Sequence, residues 1–103
     1  MREIDEYIRL AEEWGRSLDG NYIKHRNSLR DQIQAAFETI VSQSKQSELF
    51  SKVDRVSEPV RFFMAAHATE LDPEMAKRTY TELMKSTQPF IAVNSKFLLA
   101  ELT

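Results

Sequence analysis

The sequence contains no cysteine, only two glycines and only three prolines. Without cysteine there is no disulfide, no thiolate nucleophile and no cysteine-bound zinc, a composition that suits a reducing compartment. So little glycine and proline leaves small scope for linkers or low-complexity disorder. With 42% hydrophobic and 29% charged residues, the chain reads as a folded helical protein. No sign of charge dominates either: 14 basic and 16 acidic residues, mixed along the chain, give a formal charge of -2. That balance argues against nonspecific binding to nucleic acid or to an anionic membrane. Long apolar runs are also missing. The longest, Phe62 to Ala66, falls far short of the roughly 20 residues that span a bilayer. The start Met1, Arg2, Glu3, Ile4, Asp5, Glu6 puts acids where an export signal needs a basic, then apolar, stretch. The expected location is the cytoplasm, and the expected organisation is one helical domain over residues 1–103.

What is present is helical periodicity. Ile4, Tyr7, Ile8, Ala11, Trp14 and Leu18 recur at spacings of three and four and predict a first helix, ended by Asp19, Gly20 and Asn21. Gly20 is expected in the left-handed conformation and Asn21 as the cap of the next helix. That second helix runs from about Tyr22 to Ser42, with Leu29, Ile33, Ala36, Phe37, Ile40 and Val41 as its buried stripe. A polar connector follows, then a short helix carrying Leu49, Phe50 and Val53.

Ser57, Glu58, Pro59 and then Asp72, Pro73, Glu74 are two helix starts, because proline is tolerated in a first turn. They predict helices over Glu58 to Leu71 and from Pro73 through Met84, antiparallel neighbours joined by a sharp turn. After Thr87, Gln88 and Pro89, the residues Phe90, Ile91, Val93, Phe97, Leu98 and Leu102 predict a last amphipathic helix. No stretch alternates with period two for long enough to be a strand. The fold class is all-α with about six helices.

Val60, Arg61, Ala65, Ala66 and Leu71, followed by Asp72, Pro73, Ala76 and Leu83, resemble the HEAT and armadillo-like pattern. The likeness covers about 30 residues, from Ser57 to about Ser86. The whole chain is also similar to a small, uncharacterised bacterial family of HEAT-like single domains. The resemblance implies antiparallel hairpins stacked on neighbours that complete each other's core. The alternative is an irregular helical bundle.

No group of residues forms a catalytic constellation. His67 and Glu70 are one helical turn apart, but a metal or acid–base site needs further ligands, and His25 sits among cations. His67 is therefore expected to be structural, its ring beside Met64 and Leu71. Adjacent acids such as Glu12 and Glu13 point about 100 degrees apart on a helix, so they read as a solvated face with Asp5–Arg9 and Glu12–Arg16 pairs. No nucleophile elbow or phosphate loop exists. The chain is read as a non-enzyme without metal or cofactor.

The strongest local feature is the basic start of the second helix, where Tyr22, Lys24, Arg26 and Arg30 are the candidate partner-binding residues. Arg61 is read as structural. Trp14 and Phe62 are aromatics that would mark an interface if exposed. The leading expectation is a protein–protein interaction module. By analogy with other small helical proteins that lack catalytic residues, the partner would be a bacterial toxin neutralised by this chain as an immunity protein. The alternatives are a nucleic-acid-binding HEAT-like module, disfavoured by the acids Asp19 and Asp31 beside the cluster, and a scaffold assembled from copies of the chain.

Overall fold

The periodic stripes of the sequence become helices that bury one face each. The computed structural model describes residues 2–20 and 23–102. Among these there is no strand, and there are six α-helices: α1 (Arg2–Ser17), α2 (Ile23–Ser42), α3 (Gln46–Phe50), α4 (Glu58–Ala68), α5 (Pro73–Leu83) and α6 (Pro89–Leu102). A single 3-10 turn, Val53–Arg55, lies between α3 and α4. The chain is all-α, and no helix of the described residues is long and apolar enough to cross a membrane.

The helix α1 is the central strut. It packs along α2 on one side and against α4 on the other, while α5 pairs with α4 and α6 pairs with α5. One apolar core draws on every helix, from Ile4, Tyr7 and Trp14 of α1 to Ile91 of α6. Ile8 and Leu18 of the predicted α1 stripe are only half-buried, and Leu10 joins the core.

The termini follow from local chemistry. Asp72 caps α5 by accepting a hydrogen bond from the Met75 backbone N–H at 3.3 Å, whereas Ser57 has the extended cap geometry without a side-chain bond. Gly20 is not left-handed, since no described glycine has positive φ. The α1 end closes instead through Leu18 N–H to Gly15 O at 3.2 Å and Gly20 N–H to Ser17 O at 3.4 Å. Asn21, the expected cap of α2, lies outside the described residues. The left-handed position is Ser44, with φ 57°. Its N–H bonds Val41 O at 2.9 Å and the Lys45 N–H reaches Ile40 O at 3.0 Å, the paired bonds of a Schellman ending for α2.

Several expected contacts are different. Helix α4 stops at Ala68, and Leu71, placed on its inner face by periodicity, is 55% exposed because the chain has already turned towards Asp72. Arg9 pairs with Glu6 at 2.5 Å and Glu13 at 3.3 Å in place of Asp5, both partners being one turn away on the same exposed face. Arg61 bonds Glu82 at 3.2 Å and so joins α4 to α5.

At Gly15 the α1 backbone comes close to Pro59 of α4. A Cβ there would sit 2.6 Å from Pro59 Cβ, inside van der Waals contact with a ring that cannot rotate away. Gly15→Ala should therefore destabilise. Overpacking of about 1–3 kcal/mol outweighs the gain of up to about 1 kcal/mol in helix propensity, and thermal melting will show a lower Tm. The opposite sign is expected at the α2 end: Ser44→Gly relieves a left-handed L-residue and should stabilise by about 0.5–1 kcal/mol in denaturant titration.

Candidate functional site

A groove runs between α2 and the pair α4 and α6. Its floor is Trp14, which is 2% exposed, stacked on Phe62 at 5.8 Å and 7° and met edge-on by Phe63 at 4.8 Å and Phe90 at 5.4 Å. The α2 wall carries Ile23, Arg26, Asn27 and Arg30. Phe62, Phe63 and Ala66 of α4, with Phe90, Asn94 and Leu98 of α6, form the opposite wall. This part encloses about 480 Å³. It continues into a hollow of about 460 Å³ that adds Asp31, Gln34 and His67 and shares Asn27, Arg30, Phe63 and Ala66 with the first, so the two are one channel.

Local sequence sets this shape. Residues 23, 26, 27, 30, 31 and 34 fall on one stripe of α2, and that stripe is polar apart from Ile23. With nothing apolar to bury there, α2 leans on α1 through Leu29, Ile33, Phe37 and Ile40 and leaves its polar stripe over the gap. Across the gap, Phe90 is held by the turn before α6. Gln88 Oε1 accepts from the Phe90 N–H at 2.9 Å, Ser86 Oγ accepts from the Gln88 N–H at 3.0 Å, and the Ser86 hydroxyl donates to Glu58 of α4 at 2.7 Å.

The structure brings together two of the four predicted site residues. Arg26 is half-buried and donates from Nη1 to Ser17 O at 3.4 Å, satisfying a carbonyl at the end of α1 and leaving most of its donors free of that bond. Arg30, one turn on, is exposed on the same wall. Lys24 is exposed but does not border the groove, and Tyr22 lies outside the described residues. His25 turns back to Glu13 at 3.4 Å. Trp14 and Phe62 are both core residues by exposure, and they reach the groove only as its floor.

Phe63 and Phe90 were not singled out by sequence, since each repeats the spacing of a buried stripe. The signal for Phe90 is at the level of the whole helix. In α6 only Ile91 and Ser95 are buried, while Phe90, Val93 and Phe97 are 42%, 52% and 65% exposed. Of the apolar stripe predicted here, Ile91 is buried and Leu98 and Leu102 pack against the core, whereas Phe90, Val93 and Phe97 stay exposed.

At the far end of the channel, His67 of α4 is clasped by side chains of α1 and α2. The Tyr7 hydroxyl donates to Nδ1 at 2.7 Å, Nε2–H donates to Gln34 Oε1 at 3.0 Å, and the ring stacks on Phe37 at 4.1 Å and 8°. These partners, rather than the expected Met64 and Leu71, hold the ring. With Tyr7 donating to Nδ1 and Nε2–H bonded to Gln34, the ring is the neutral Nε2–H tautomer. Burial pushes the imidazole down to about 4, and burial likewise keeps the Tyr7 hydroxyl protonated well above its ordinary range. The described residues hold no group of three or more metal-ligating side chains.

A more polar hollow of about 390 Å³ lies between α3 and the α4–α5 turn, bordered by Gln46, Phe50, Leu71 and Arg78. Phe50 is its single aromatic lining residue, and it takes none of the predicted residues.

Compared with known protein families, with characterised proteins and with solved structures, the chain matches none. The likeness of the Ser57–Ser86 stretch to a HEAT-type hairpin is carried by its residues alone.

The neutral clasp predicts an acid-sensitive fold. Because the folded pKa of His67 lies below the unfolded value of 6.5, its contribution is complete above about pH 6.5 and is lost as pH falls towards about 4. The slope from this residue is at most about 1.4 kcal/mol per pH unit. Denaturant titration of His67→Gln across that window should give a flatter dependence of stability on pH than the parent, from a lower starting stability.

Proposed function

We propose that the chain is a protein-interaction module and that the channel between α2 and α4 with α6 is its docking surface. The observation that carries this reading is the juxtaposition of exposed Phe90 and Ile23, on an aromatic floor, with Arg26 and Arg30 on the rim. Interfaces favour this combination: apolar anchors fill a desolvated centre, and arginine combines charge, planar hydrogen bonding and packing. The stretch of α2 from Ile23 to Gln34 is roughly 16 Å long at ~1.5 Å per residue, enough for a peptide-sized element of a partner.

Neutralising a bacterial toxin, the role suggested by analogy, needs such a surface and no catalytic group, and the arginines fit an acidic partner. Nucleic acid is the weaker reading. Trp14 already lies against Phe62, Phe63 and Phe90, so its faces are not open platforms for bases, and Asp31 stands next to Arg30 on the same wall.

Photo-crosslinking in the native host tests the assignment. A benzophenone amino acid in place of Asn27, inside the channel, should give a discrete cross-linked protein. The same probe at the exposed Glu38, which does not border the channel, should not, and Arg26→Ala with Arg30→Ala should reduce the Asn27 product. Equal cross-linking from both positions would remove the channel as the docking surface.

A further inference from the structure

We infer that the occupant of the channel is an acidic amphipathic helix of a partner protein, with two carboxylates one turn apart facing Arg26 and Arg30. The inference rests on the interaction-module reading and specifies what docks.

The walls exclude the other common peptide geometries. Strand addition needs a free sheet edge to supply backbone hydrogen bonds, and the walls here are helices whose main-chain groups bond within the helix. A polyproline ligand needs parallel aromatic ridges with open faces, whereas Phe62, Phe63 and Phe90 lie edge-on or stacked against Trp14. A helix needs neither. It presents side chains on all sides, and this channel offers two walls of different chemistry to be matched by two stripes of one helix.

Those stripes can be specified. Towards α4 and α6 the occupant meets Phe63, Ala66 and Phe90, so that stripe is apolar. Ile23 on the α2 wall and Phe90 on the α6 wall are 58% and 42% exposed, so both walls offer an apolar side chain for that stripe to cover. Towards α2 it meets Arg26 and Arg30, which are about 6 Å apart along their own helix, the spacing of residues i and i+4 on the facing one. Arg30 makes no hydrogen bond or ion pair among the described residues, and Arg26 spends one donor on Ser17. Asp31 and Gln34 follow towards His67, so the positive character is confined to the Ile23 end. The carboxylates therefore belong at that end of the occupant, and the segment opposite Asp31 carries no acid. The charge asymmetry gives the helix one direction of entry.

The test uses the full-length chain and three labelled synthetic peptides of about 16 residues. The first has leucines at i, i+4 and i+7 and two glutamates four apart on the flank; the second carries lysine at both glutamate positions; the third has a proline at the centre of the acidic peptide. Fluorescence anisotropy should show the acidic peptide binding about tenfold more tightly than the lysine peptide, with the proline peptide weakest. Amide NMR shifts should fall on Ile23, Asn27, Phe63, Phe90 and Asn94. In the double variant Arg26→Glu, Arg30→Glu, the preference should reverse in favour of the lysine peptide. Ile23→Ser should weaken the acidic peptide without altering the circular dichroism of the fold.

Equal affinity for acidic and basic peptides, an unreversed preference, or tight binding of the proline peptide overturns the assignment. So does an oligothymidine strand that shifts the same amides and loses affinity steeply with salt. A cross-linked protein at Asn27 combined with no peptide binding overturns the helical occupant alone and leaves the docking surface standing.

Discussion

Gly15 and Pro59 set the distance between α1 and the start of α4, and the rest of the architecture follows from that distance. With no side chain on Gly15, the Pro59 ring sits directly on the α1 backbone. The next residues of α4 are then close enough for Phe62 and Phe63 to pack around Trp14, one position before the glycine. Because α1 also carries α2 on its other flank, α2 and α4 share a common support and touch each other at one end, where His67 meets Gln34 and Phe37. A furrow between them is the geometric result, and Trp14, pointing from the support, becomes its floor.

The furrow's two sides then differ for reasons of economy in packing. The helix α2 buries Leu29, Ile33, Phe37 and Ile40 in the core and, Ile23 apart, has polar side chains left to face the gap. Helix α6 has the reverse imbalance: more apolar residues than its contacts with α5 can cover. Arg26 links the two demands, since one guanidinium both satisfies the end of α1 and lines the open side. Stability and recognition thus draw on the same side chain, which distinguishes it from Lys24, fully outside both.

How much of this was legible in the sequence depends on whether the signal is local. The paired Ser57 and Asp72 starts with their prolines, and the spacing of Ile4, Tyr7, Ala11 and Trp14, mark helices because the cause lies within a few residues. The end of α2 at Ser42 was legible from the polar run that follows it, but the left-handed turn at Ser44 was not, because a left-handed serine has no composition cue. Arg26 and Arg30 were visible as a basic cluster; their opposing wall was not, since Phe63 and Phe90 come from distant segments and share the spacing of core residues. Periodicity reports which residues form a stripe, not which neighbour arrives to cover it. In α6 Val93 and Phe97 stay exposed and Phe90 is covered only in part, by Trp14 and Phe62, and in α4 the turn before Asp72 carries Leu71 out of its predicted place.

The His67 clasp has a consequence for the order in which the molecule assembles. The helix pairings α1 with α2, α4 with α5 and α5 with α6 join elements adjacent or nearly adjacent in the chain, and such contacts close cheaply and early. His67 instead meets Tyr7 and Gln34 across separations of 60 and 33 residues. Its bonds can form only after the two hairpins have docked, so they act as a late latch. A latch made after the folding barrier governs the rate of escape rather than the rate of arrival. Mild acid, by protonating His67, should shorten the native lifetime while leaving the speed of refolding nearly untouched.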